Sequence, residues 1–192
     1  MPNLPPSRWT DADQTPDAGT DWLVAPLPRL TRFIVHAYHE PLRRNLPLLA
    51  TRARDVDAAG EWPLVSGDLL EHLDALARDV PLHLDYEEQL LFPAIEALSR
   101  GDRVPFCSEA ARLPVLEQQH AQFGTCLKDL ARLTAWFTPP DGVGPTVQEL
   151  CADLSRLMES TYVHVHLERN VLLERALQIS SALAASSPDE PP

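Results

Sequence analysis

The chain of 192 residues carries 28 Asp and Glu against 16 Lys and Arg, a formal charge of −12, and is 44% hydrophobic. That is enough chain for one domain with a sizeable core, and the apolar fraction is that of a globular protein rather than a disordered one. The acidic balance argues against nucleic acid or an anionic membrane surface as partner, because both select a basic footprint, and no apolar run reaches the roughly 20 residues that a bilayer requires.

Residues 1–24 are rich in Pro and Asp and have little periodicity, so a loose tail is expected there. The run lacks the basic start and apolar centre of a signal peptide. Cys107, Cys126 and Cys151 are odd in number and form no C-x-x-C motif, which suits a reducing cytoplasm. From residue 25 the apolar residues recur at helical spacing and no convincing alternating strand appears. The first predicted helix runs from about Pro28 to Val56, through Leu30, Phe33, Ile34, Leu42, Leu46 and Leu49. The second runs from about Val65 to Leu98, the third from Leu113 to Phe137, and the fourth from Thr146 to Leu183. AAGEWP, RGDRVP and TPPDGVGP separate them, and Pro114 suits the first turn of the third, where its missing N–H costs nothing. Pro41, Pro47, Pro81 and Pro93 fall inside the first two helices and should kink or loosen them. The expected fold is all-α, an up-down-up-down four-helix bundle over residues 25–183, with a frayed tail at 184–192.

The chemistry lies in the histidines. The second helix carries His83-Leu-Asp-Tyr-Glu87 and the fourth His164-Val-His-Leu-Glu168, so each sets an imidazole and a carboxylate one turn apart on one face. The first and third helices offer His39 and His120. His39 and His83 are 44 positions apart, and so are His120 and His164. HLDYEEQLLF also lies on HVHLERNVLL with His on His and Glu87 on Glu168. This reads as a weak duplication: two helix hairpins about an approximate two-fold axis, bringing four His and two Glu together in the core.

A lone His on an apolar face is more often a satisfied core residue than a ligand. Four at mirrored positions, two of them with Glu one turn on, point instead to a dinuclear metal site. Six ligands exceed a closed tetrahedral zinc site, and imidazole with carboxylate and no thiolate suits iron or manganese. With two His per metal, both carboxylates bridging and an oxo or hydroxo bridge, one position on each ion stays open for a diatomic such as O₂ or NO. His36 is expected behind the ligands or in the core, His72 outside the site, and His166, about 200° round the helix from His164, on the surface. Tyr38, Tyr86 and Tyr162 are expected in the core or against the ligands. Cys126 lies about 240° round from His120, away from the metals.

VHAYHEPLRRNLPLL, HLDYEEQLLFPAI, LEQQHAQFG and HVHLERNVLLERAL resemble the haemerythrin-like family, and more narrowly its repair-of-iron-centres group, over about residues 28–178. The resemblance implies a haemerythrin-like bundle with two irons. His39, His83, His120 and His164 would be terminal ligands, and Glu87 and Glu168 bridges. Oxygen carriers of the family add a fifth His where Gly124 stands and use H-x-x-x-x-D in the last helix; both departures point away from oxygen carriage. Many repair proteins carry an N-terminal Cys-Cys domain, and residues 1–24 here hold no Cys. The function implied is repair of damaged iron–sulfur clusters, or iron supply to them, under nitrosative or oxidative stress. The alternative is a sensor or scavenger of O₂ or NO; NO reduction or peroxidase-like chemistry at the same centre is a third reading.

Overall fold

The computed structural model describes residues 19–62, 64–65 and 67–186. The tails expected at 1–24 and 184–192 therefore fall mostly outside the described residues. Helix α1 (Leu27–Ile34) continues through a π-helical turn, Val35–His39, into α2 (Glu40–Ala59). A second rod joins α3 (Gly67–Tyr86) to α4 (Phe92–Leu98) through a π turn at Glu87–Leu91. After the short α5 (Val104–Ala110), α6 (Leu113–Leu133) forms the third rod. The fourth comprises α7 (Pro145–Leu167), a π turn at Glu168–Leu173, and α8 (Glu174–Ala185). There is no strand among the described residues.

Among the described residues two apolar cores fill the bundle, and their order along each rod gives the topology. In the first rod Leu30, Phe33 and Ile34 enter one core, and Leu42, Leu46 and Leu49 enter the other. The second rod runs the opposite way, with Leu69, Leu73 and Leu76 in the second core before Leu91, Phe92 and Ile95 in the first. The third takes Leu116 to the first core and Leu127 and Leu130 to the second, and the fourth reverses once more, from Leu150 and Leu154 to Leu172 and Ala176. The rods therefore alternate up and down. No described helix is long and apolar enough to cross a membrane.

The prolines act more selectively than expected. Pro47 and Pro81 sit inside α2 and α3, which continue through them. Pro41 and Pro93 each stand two residues past the end of a π turn, at the second position of the helix that follows. A proline ring collides with the carbonyl four residues back, here Ala37 and Gln89, and both lie within the widened turns. The N–H groups of Glu40 and Phe92 reach back five residues, to Val35 O and Glu87 O. No proline follows the third π turn, yet it opens at Glu168 just as the second opens at Glu87, while the first ends at His39. Such bulges are frequent at functional sites.

Two expectations need correction. The third helix ends at Leu133 rather than Phe137. Buried Thr134 donates its hydroxyl to Leu130 O, and Ala135, Trp136 and Phe137 all take positive φ. That left-handed run stops the helix and turns Phe137 back onto the core. The connection read as an unstructured breaker, RGDRVP, leads into α5, whose one buried side chain, Phe106, plugs the core beside α4. A seven-residue helix held by a single anchor leaves too little periodicity to be read from sequence.

Candidate metal centre

In all four rods the candidate ligands fall between the segments that feed the two cores. His39 ends the first π turn, His83 and Glu87 straddle the end of α3, His120 lies in α6, and His164 and Glu168 straddle the end of α7. Their atoms converge as two groups, His39–Glu87–His164–Glu168 and His83–Glu87–His120–Glu168. Both carboxylates belong to both groups.

The paired geometry follows the two-fold relation seen in the sequence. His39 Nε2 lies 2.9 Å from His164 Nε2, and His83 Nε2 lies 2.8 Å from His120 Nε2. Glu87 turns Oε1 to His83 and His120, at 3.2 and 3.7 Å, and Oε2 to His39, at 3.7 Å. Glu168 does the converse, with Oε1 at 2.7 Å from His164 and 3.2 Å from His39, and Oε2 at 3.4 Å from His120. Each carboxylate thus divides its two oxygens between the two His pairs. Five of the six side chains are 3% exposed or less, and His120 is 9% exposed.

These residues fit a pair of hard or borderline cations. Glu87 Oε2 and Glu168 Oε2 are buried without a hydrogen-bond partner, whereas buried polar atoms are ordinarily satisfied. Nitrogen and carboxylate donors without thiolate suit iron, and two shared carboxylates exceed what one tetrahedral ion takes. The imidazoles are also oriented for ligation. His39 Nδ1 donates to Glu88 Oε1 at 2.8 Å and His83 Nδ1 to Gln119 Oε1 at 2.9 Å. A neutral ring that donates from Nδ1 keeps the Nε2 lone pair free for a metal. Arg43 in turn binds Glu88 and Asp85.

Electrostatics show the same poise. Burial alone would lower the His39 pKa, but hydrogen bonds with Glu168 and Glu88 outweigh it and raise it to about 9. His83 is also raised: burial opposes, and its bond and charge interaction with Glu87 prevail. Burial and the neighbouring Glu168 charge push Glu87 up, yet His120 and His83 hold it below the usual carboxylate range. Glu168 is held well below that range, burial notwithstanding, by His164 and His39.

The other histidines lie apart from this group. His36 is exposed and paired with Glu40 at 3.1 Å, so neither expected position, behind the ligands or in the core, is the observed one. Its place on the outer side of the π turn accounts for this. His72 bonds Asp68 O and faces Asp129, and His166 is exposed beside Asn170. Tyr38 is buried with its ring stacked on His164, 5.7 Å between centroids. Tyr86 reaches Glu109 at 2.6 Å, while Tyr162, expected inside or against the ligands, is exposed because it falls on the outer face of α7. Cys126 donates its thiol to His72 O, and burial pushes both Cys126 and Cys151 up to about 11, so neither is a ready nucleophile. Sequence reading missed Glu88, Gln119, Arg43 and Asp85; the only available signal was that Glu88 and Gln119 adjoin ligands.

Residues 32–176 match the family described as "Hemerythrin HHE cation binding domain". The chain belongs to that family. Its di-iron cofactor fits the donor set above. Among curated relatives, the "Iron-sulfur cluster repair protein YtfE" of Edwardsiella ictaluri (strain 93-146) is 36% identical over 177 residues, 89% of this chain and 75% of that protein. The proteins of the same name from Yersinia pseudotuberculosis serotype IB (strain PB1/+) and Yersinia pestis are each 34% identical over 165 residues, 85% of this chain and 72% of theirs. The haemerythrin-like bundle expected from the sequence is the fold observed.

Proposed function

We propose that this protein is a cytoplasmic di-iron protein that restores damaged iron–sulfur clusters by supplying iron to them. His39 and His164 would hold one iron and His83 and His120 the other, with Glu87 and Glu168 shared between the two. The division of each carboxylate's oxygens between two His pairs carries the ligand assignment, and the repair proteins similar over most of the chain support the role. When bound, the iron pair supplies redox-active, Lewis-acidic metal that can also serve as cargo. The chain's own residues keep the donors aimed inward: Glu88 and Gln119 fix two imidazole tautomers, and Phe92 and Tyr38 pack against His39 and His164. The test adds the iron-loaded protein to an iron–sulfur enzyme inactivated by NO. More activity should return than equimolar free Fe²⁺ restores; recovery no greater than with free Fe²⁺ overturns the repair role.

One observation favours a second reading, binding of a small diatomic ligand such as NO or O₂ for sensing or scavenging. A cavity of about 20 Å³ adjoins His83, His120 and His164, walled by Leu42, Leu46, Leu76, Val80, Leu127 and Leu157 among others. That is roughly the space of one water-sized molecule, and its walls suit an uncharged guest. Leu76→Phe, which fills the cavity, should slow NO binding about tenfold, an added barrier of about 1.4 kcal/mol, with metal content unchanged. An unaltered rate would rule out the cavity as the diatomic's approach.

A further inference from the structure

All six candidate ligands obey the internal duplication, displaced from one another by 81 positions, and the residues behind them do not. Behind His39 stands Glu88, whose duplicate position is Arg169, exposed on the surface and facing Glu117 at 3.7 Å. Arg43, which holds Glu88, corresponds to Gly124. Behind His83 stands Gln119, whose counterpart is Tyr38, stacked on His164 rather than bonded as an amide. One half of the centre therefore rests on a carboxylate and the other on a neutral amide.

The charges decide what this does. Glu88, Arg43 and Asp85 together leave a net charge of about −1 behind His39, with Glu88 Oε1 2.8 Å from Nδ1. A hydrogen bond to a carboxylate is roughly twice as strong as one to a neutral acceptor. It makes the imidazole the more basic donor, and such partners commonly set metal affinity by 10–100-fold. Gln119 Oε1 accepts from His83 at nearly the same distance, 2.9 Å, but adds no charge. A second observation points the same way: His120, in the Gln119 half, is the most exposed of the six.

We propose that the two metal positions are built to unequal strength: Glu88 makes the His39/His164 position the retaining one, and Gln119 leaves the His83/His120 position to give up its metal first. The proposal rests on the ligand assignment above and adds an order of release. It makes Glu88 and Gln119 positioning residues that act through the histidines they hold.

The experiment follows iron release from the loaded full chain under anaerobic challenge with an excess chromophoric ferrous chelator. The wild type should release iron in two phases of one equivalent each. Gln119→Glu should slow the fast phase about tenfold or more, and Glu88→Gln should quicken the slow phase by a similar factor. Both swaps preserve side-chain shape, and because they act in opposite directions, simple loss of folding cannot produce the pattern. A wild type that holds fewer than two irons defeats the ligand assignment itself. Two irons released in phases that neither swap alters, or a slow phase retarded by Gln119→Glu, overturns the order of release alone.

Discussion

Glu87→Ala and Glu168→Ala should each take bound iron below two per chain, as measured by metal analysis of freshly purified protein. Each carboxylate presents oxygens to both His pairs, so its loss removes a donor from both positions at once. His166→Ala, which alters an exposed ring on the same helix turn, should leave iron content unchanged. Breaking a buried ion pair by removing one partner costs about 3–5 kcal/mol, so a lower melting temperature in the Ala variants is also expected. Glu87→Gln and Glu168→Gln separate ligation from folding, because they keep the side-chain shape and remove the charge. Full iron retention by both Ala variants would overturn the bridging assignment.

Stripping the metal should lower the melting temperature by about 8–16 °C. Ligand present at a thousandfold its dissociation constant stabilises a protein by about 4 kcal/mol, and a chain of this size shifts by about 2–4 °C for each kcal/mol. The size of the drop should depend on pH. The folded pKa of His39 is raised to about 9, above the ordinary 6.5. Its contribution to the metal-free protein is therefore fully present below 6.5 and is lost as pH rises through about 9. Metal binding must displace that proton and strengthens over the same range. Scanning calorimetry from pH 6.5 to 9, with and without chelator, should show the gap between loaded and stripped protein widening. A gap that narrows with pH would contradict the proton–metal competition. On the acid side, Glu87 and Glu168 are held below the usual range, so their contribution is present above about 4.5 and is lost as pH falls through their lowered values.

Much of this was legible in the sequence, for physical reasons. Helical periodicity over four long stretches determined the bundle, and the 44-residue interval with two H-x-x-x-E pairs selected the six side chains that converge. These signals are local or repeated, so one chain suffices to see them. What escaped depends on contacts across rods. Nothing local joins Arg43 to Asp85 and Glu88, or Gln119 to His83, because each pair lies on different rods. The π turns were half-visible, since Pro41 and Pro93 signal two of them, but Glu168–Leu173 carries no such mark. His36 and Tyr162 were misjudged because proximity in sequence to a ligand says little about facing once the turn widens or the residue takes the outer side of the rod.

The two separate cores bear on what the protein can survive. A bundle with a single core through its middle would place its metals at the keystone, and losing them would put the whole assembly at risk. Here Leu30, Phe33 and Ile95 pack into one core and Leu46, Leu69 and Leu154 into the other, on either side of the layer of ligands. Under the proposed role, the metal-binding layer would act as a coupling between two clamps, giving up its metals and taking new ones while the two apolar cores hold the rods together. Such an arrangement suits the proposed iron supply, because a protein that gives up its own metal must outlast each delivery.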